Sequence, residues 1–269
     1  MLRNAKSMER YALRAHDGMI GHVKDFYFDD DAWVIRYFVV DTGSWLAGRK
    51  VLLSPEAVDA PEWDQRVLPV DLTKQQVNDS PGIESAKPVS RQHEEDLHKH
   101  YGWPIYWGAD SGLATPPGMV PILPTTEEEL RAADIARIDR PLSQRPARRD
   151  PHLRSVNDTV GHRIEAVDGE IGHVEDFIID DATWSIAYLV VDTKNWLPGK
   201  KVIVSPTWIR NVSWSESRIY ADLTCEEIKG SPAYDPSGAI TPDYDAELRA
   251  YYGRSHLPTT SVQADRDGR

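Results

Sequence analysis

The sequence predicts a mainly β protein built as two small barrels, each followed by a short helix and joined by a proline-containing connector. Two observations carry that expectation. Slid on itself by 151 residues, the chain aligns two long segments without a gap: D-G-M-I-G-H-V-K-D-F at Asp17 to Phe26 answers D-G-E-I-G-H-V-E-D-F at Asp168 to Phe177. The register holds through Trp33 to Pro55 against Trp184 to Pro206, and on to Tyr101-Gly102 against Tyr252-Gly253. Within each copy, short β-branched and aromatic runs are separated by turn residues, and so many short strands in so little chain bury a useful core only if the sheet closes.

Taken in order, residues 19–29 read as a bent strand, with Gly21 and Asp25 at the irregularity, and residues 33–41 and 48–53 as two more. Asp29-Asp30-Asp31 and Asp180-Asp181 supply turns between the first two strands, and Thr42-Gly43-Ser44 and Thr193-Lys194-Asn195 break the chain before the third. Ser54-Pro55 and Ser205-Pro206 pair a cap residue with a proline suited to the start of a helical turn. A further strand is expected at Val67 to Asp71 and at Ile219 to Asp222, and a docking helix at Ser90 to Tyr101 and at Thr241 to Tyr252. The organisation expected is therefore a first copy with its helix over 1–103, a connector over 104–151, a second copy with its helix over 152–254 and a disordered tail over 255–269. Thr126 to Glu129 gives the connector a capping-box pattern ahead of one short helix. Each copy is expected to bury its own tryptophan-rich interior.

Composition limits the function. A net charge of −12 opposes broad binding to nucleic acid or anionic lipid. One cysteine, Cys225, closes no intrachain disulfide and supplies no thiolate cluster. No apolar run approaches the roughly 20 residues that span a bilayer, so a soluble cytoplasmic protein is expected. There is no Gly-rich phosphate cradle, no G-x-S-x-G elbow and no cysteine with a repeated histidine partner. No enzyme activity, catalytic residue, cofactor or bound metal is expected. The crowded Asp25, Asp29, Asp30 and Asp31 lack the glycine and closing glutamate of a calcium loop and read as turn residues. Glu94 and His98 have a spacing that suits a metal pair, but the second copy has Asp245 and Arg249 there, so His93, His98 and His100 are expected on an exposed polar helix face.

The repeated pattern, D-G-x-I-G-H-V-x-D-F, an Asp-rich turn, then W-x-I-x-Y-x-V-V-D-T and W-L-x-G-x-K-V-x-x-S-P, resembles the PRC-barrel domain. That domain is shared by the cytoplasmic part of the photosynthetic reaction centre H subunit and the C-terminal half of a bacterial ribosome maturation factor. The resemblance implies a small, strongly bent barrel whose members mostly bind other proteins. The leading expectation is a non-catalytic protein-binding or assembly module, with its two copies packed pseudo-symmetrically and homo-oligomerisation left open. One alternative is an accessory in photosynthetic electron and proton transfer. Another is an RNA- or ribosome-associated factor acting through the Arg-rich stretch Arg131 to Arg154.

Aromatic residues supply the candidate contacts. Nine Trp and eleven Tyr against four Phe leave most rings with a polar edge. Trp33, Trp184, Trp63 and Trp214 read as core. Trp45 and Trp196 fall in the loop before the third strand, either as barrel plugs or as anchors for a partner. Trp103, Tyr106 and Trp107 lie in a segment that has no counterpart after Gly253, either as a lid on the barrel or as an interaction strip.

Overall fold

The computed structural model describes residues 1–83, 89–107, 153–193, 200–236 and 240–253. The first copy runs β1 (Leu2–Asn4), a helical turn (Ala5–Met8), β2 (Ala12–Ala15), β3 (Gly18–Asp29), β4 (Val34–Asp41), β5 (Lys50–Leu53) and β6 (Val67–Pro69). The second repeats it as β7 (Leu153–Ser155), a helical turn (Val156–Thr159), β8 (Arg163–Ala166), β9 (Gly169–Asp180), β10 (Ile186–Asp192), β11 (Lys201–Val204), β12 (Ile209–Ser213) and β13 (Arg218–Ala221). The expected mainly β architecture, with two sheets and few helices, is present. The connector, the tail and Trp196 lie outside the described residues. Among the described residues no helix is long and apolar enough to cross a membrane.

Each sheet is a strongly bent meander. The first runs β5-β4-β3-β2-β6 and the second β11-β10-β9-β8-β13-β12, with the β2–β6 and β8–β13 pairs parallel and the other described pairs antiparallel. The long strand turns the corner at a bulge between Val23 and Asp25, so its first half pairs with β2 and its second half with β4. Gly21 and Gly172 sit just before that corner, where a Cβ would come 2.1 Å from the carbonyl oxygen of Asp41 or Asp192. Only glycine leaves room for the backbones to meet there. Past Ser54 and Ser205, each of which accepts a backbone N–H to cap a proline-led turn, the chain bridges back to the last strand, through Val58 with Val70 and through β12 with β13.

Sequence reading missed the segments that lock the halves together. β1 pairs antiparallel with β9 of the second copy, Leu2 facing Asp180, and β7 pairs with β3 of the first, Leu153 facing Asp29. The exchange is reciprocal, and the carboxylate after each bulge holds it. Asp176 accepts from the Lys6 N–H and Asn4 Nδ2, both at 3.1 Å. Asp25 accepts from Ser155 Oγ at 2.6 Å and the Asn157 N–H at 3.2 Å. Burial pushes both carboxyls above their usual range, against these bonds. Arg3 lies 3.6 Å over the Trp63 ring of its own copy and donates to Asp181 of the other at 2.6 Å. Arg154 repeats this over Trp214 at 4.4 Å, with Asp30 at 2.9 Å.

The expectation of two separate interiors is corrected. One buried cluster draws residues from both copies, among them Met8, Phe28, Phe38, Phe177 and Leu189. Phe28 meets Phe177 at 5.7 Å and Phe38 meets Trp184 at 4.9 Å between ring centroids. The Ile35 N–H donates to the Trp184 carbonyl at 2.8 Å, and Ile186 to Trp33 at 2.7 Å. Trp33 and Trp184 hold φ near +55°, a conformation rare for bulky residues, and they hold it beside the Val34–Ser185 bridge that joins the copies. The physical reason is size: a bent sheet of some 75 residues leaves apolar surface uncovered, and the second copy covers it.

Candidate functional site

The strand β4 is buried on both faces over Tyr37 to Val40, which the unbroken apolar run of those four residues foreshadows. Its inner face joins the shared core. Its outer face, with Tyr37, Val39 and Leu52, is roofed by Leu97 of the helix Arg91–Tyr101 and edged by the exchanged Leu153. The helix starts at Ser90, whose hydroxyl accepts from the His93 N–H at 3.3 Å, and stops at Gly102 in the left-handed conformation. Beyond Gly102 the chain doubles back, and the Trp103 N–H bonds the His98 carbonyl at 3.0 Å.

That return buries a polar network on a helix face expected to be exposed, which corrects the reading of His98. Tyr37 and Glu94 are 0% exposed and His98 4%. Glu94 accepts from Tyr37 Oη at 3.2 Å and from Tyr106 Oη, and pairs with Arg91 at 3.0 Å. Tyr37 Oη lies 2.9 Å from His98 Nε2. With the Tyr37 proton directed at Glu94, the imidazole Nε2–H donates to the phenol. Burial first, and then the Glu94 charge, push the Tyr37 and Tyr106 hydroxyls far above the usual phenol range, so neither is a nucleophile at neutral pH.

Beside this network a cleft of about 360 Å³ opens at the seam between the copies. It is lined by Val34, Arg36, Pro55, Val58, His98 and Tyr106 of the first copy and by Ala182, Thr183 and Trp184 of the second. The Arg36 guanidinium stacks 3.9 Å from the Tyr106 ring, and its Nη2 donates to Asp29 at 3.2 Å. Two buried nitrogens in cleft residues have no hydrogen-bond partner, Arg36 Nε and His98 Nδ1. The repeat places a second cleft, of about 800 Å³, at the other seam, with Ala187 where the first has Arg36, Thr207 where it has Glu56, and Trp33 where it has Trp184. Tyr188 and Trp208 also line it, and Trp208 packs 4.0 Å from Tyr252. The two clefts share a frame and differ in chemistry: Arg36, Glu56 and His98 line one, whereas Asp31 and Asp180 line the other together with three aromatic rings.

Of the candidate contact residues, Trp45 folds back on its own barrel, donating Nε1–H to the Ile20 carbonyl under Lys74 Nζ. Trp196, its repeat partner, lies outside the described residues. Trp103 stacks on Tyr101 at 4.2 Å, and Trp107 meets His98 edge-on at 4.8 Å with Arg91 over its face at 4.4 Å. Trp103, Tyr106 and Trp107 are therefore half-buried against the helix, while Ile105 between them is 59% exposed. Sequence reading did not single out Arg36 or Tyr37, and it weighed Glu94 and His98 only as a metal pair and set them aside; the strand's double burial is the signal that marks Tyr37. Asp29, Asp30 and Asp31 bring their carboxylates within 4.8 Å of one another, but Asp29 caps the Asp31 and Ala32 N–H groups and Asp30 holds Arg154. Arg131 to Arg149, on which an RNA contact would rest, lie outside the described residues.

A family model of the PRC-barrel domain matches residues 17–76 and 154–235, together more than half of the chain. No curated protein matches it.

Proposed function

Since the chain belongs to the PRC-barrel domain family, we propose that it works as a non-catalytic protein-binding module, its two interlocked copies forming one pseudo-symmetric body that meets a partner asymmetrically. The observation that carries this reading is the pair of repeat-related clefts with unlike linings. A symmetric body with identical seams would recognise two equal sites, whereas this one offers an acidic aromatic seam and a seam of mixed charge. The acidic aromatic seam suits a partner side chain with an apolar body, because Trp33, Tyr188 and Trp208 provide rigid rings of the kind that anchor protein contacts. The absence of catalysis is supported by the burial of Tyr37 and Glu94, which leaves the network's hydroxyl and carboxylate without access to a substrate.

The test compares tagged wild-type protein with Thr207→Arg after cross-linking in the producing cell, followed by reconstitution with the purified partner. Thr207 is exposed and lines the aromatic cleft, so the arginine adds a long side chain and a charge of opposite sign to Asp31 and Asp180 without disturbing the core. A partner that binds wild type and loses at least tenfold in affinity for the variant supports the reading. Equal affinity for both proteins contradicts it.

A further inference from the structure

We infer that the aromatic cleft receives an arginine side chain of a partner protein, with the guanidinium pairing with Asp180 and the stem lying on the rings of Trp33 and Trp208. The inference rests on the protein-binding reading and deepens it by naming the partner's anchor. Its basis is the repeat itself, which holds one arrangement twice, once filled and once open.

In the first copy Asp29 divides its carboxylate between two tasks. Oδ1 accepts the Asp31 and Ala32 N–H groups of the turn at 3.0 and 3.1 Å, and Oδ2 accepts from Arg36 Nη2 at 3.2 Å. The same guanidinium stacks 3.9 Å from the Tyr106 ring. Asp180 holds the equivalent position in the second copy, and its Oδ1 likewise caps the turn, accepting the Ala182 N–H at 3.1 Å. The arginine is missing, because position 187 is alanine, and Asp180 Oδ2 meets no donor among the described residues. The Asp180 side chain is 34% exposed, against 12% for Asp29 beneath its arginine, so a ligand can reach it. The Met1 ammonium stands 3.6 Å from Oδ1, the oxygen the turn already uses, and pairs more closely with Asp181.

Charge and ring chemistry select the ligand. Asp31 stands where the first cleft has Ala182, so the open cleft has gained a carboxylate and lost a guanidinium, and no lysine or arginine lines it. The ring platform is kept from a different position: Trp208 stands where the first copy has Ala57. Trp208 is backed by Tyr252 at 4.0 Å and Trp33 by Phe28 at 5.5 Å, which holds both indoles in place. A cation with an apolar stem answers rings and carboxylates together. Guanidinium suits the cleft better than ammonium, because its plane stacks on an aromatic face while its N–H groups still donate to a carboxylate, as Arg36 does between Tyr106 and Asp29. A volume of about 800 Å³ lies in the upper range of ligand pockets and admits the residues that flank the arginine.

The probe is the blocked peptide acetyl-Gly-Arg-Gly-amide, titrated into the full chain with nitrogen-15-labelled indoles and followed by NMR. Saturable shifts of the Trp33 and Trp208 signals are expected, with affinity at least about tenfold lower for the citrulline peptide, which keeps the shape and loses the charge, and about threefold lower for the lysine peptide. Ala187→Arg supplies the missing arginine from within the chain and should abolish peptide binding. Because Ala187 is half-buried, Asp31→Asn serves as a second variant: it changes an exposed side chain and should weaken the arginine peptide about threefold with no loss of melting temperature. No saturable shift, an arginine peptide bound no more tightly than the citrulline or lysine one, or full affinity in either variant would overturn the inference. A partner that loses affinity on Thr207→Arg yet is not displaced by the arginine peptide would overturn it alone and leave the protein-binding reading standing.

Discussion

Replacing Asp176 with alanine removes the carboxylate that clasps the exchanged N-terminal segment. Three donors lose their acceptor: the Lys6 N–H and Asn4 Nδ2, both at 3.1 Å, and the Phe177 N–H at 2.8 Å. Hydrogen bonds to a charged acceptor contribute roughly 1.5 to 3 kcal/mol each. The sum is not realised, because Asp176 is itself buried and its ionised form is disfavoured there, and because Asn4 keeps its bond from Tyr234 Oη at 2.7 Å. A net loss of about 2 to 3 kcal/mol is expected, which at a urea slope of about 2 to 3 kcal/mol per molar lowers the midpoint by ~1 M. Asp176→Asn, which keeps one acceptor oxygen, should lose about half as much. Equilibrium urea unfolding followed by tryptophan fluorescence reads the change, and hydrogen exchange should show the amides of Leu2 to Met8 losing protection first. A loss below about 0.5 kcal/mol in the alanine variant, with those amides still protected, would refute the clasp, since a surface substitution costs no more than that.

Gly172→Ala places a methyl 2.1 Å from the Asp192 carbonyl oxygen, at the corner where β9 crosses β10. A cost of about 3 kcal/mol or more is expected, seen as a large fall in melting temperature, and an unchanged melting temperature would mean that the strands do not approach so closely. The raised carboxyl of Asp176 also sets the sign of a pH effect. Between its unfolded pKa and its higher folded one, the native state binds more protons, so this group's contribution to stability is complete below the window and is lost as pH rises through it. The stability gap between wild type and Asp176→Asn should therefore be wider at acid pH than at neutral pH, as checked by urea titrations at both, and a gap that widens with pH contradicts the assignment.

Much of the fold was legible because its determinants are local. Gly21 with Asp25 announced the bent strand, the Asp-rich turns fell where the strands reverse, and Ser54-Pro55 and Ser205-Pro206 cap their turns as read. The strand exchange was not legible, because β1 and β7 are three residues long and draw their partners from a sheet more than a hundred residues away. A clue was present in Leu2-Arg3 and Leu153-Arg154, which recur at the same offset of 151 ahead of the first recognised motif. The mixed-charge cleft was hidden for a related reason. Glu94 and His98 look like a solvated helix face until the chain beyond Gly102 returns to cover them, and propensity carries no sign of that return. The difference between copies was visible in the letters as Arg36 against Ala187 and Glu56 against Thr207, yet it acquired meaning only when both seams were seen to be clefts.

The central claim is that each copy completes the other through exchanged strands within one chain. Cysteines at Leu2 and Asp180, in a Cys225→Ala background, test it most directly, since the two residues face each other across the β1–β9 pair. Opposed residues of an antiparallel pair have Cα atoms about 4.5 to 5.5 Å apart, within disulfide range. Mild oxidation of the monomer should form one intrachain disulfide, read as a mass loss of about 2 Da and a Leu2–Asp180 cross-linked peptide. Thiols that stay reduced in the folded protein, or a disulfide that joins two chains, would contradict the account.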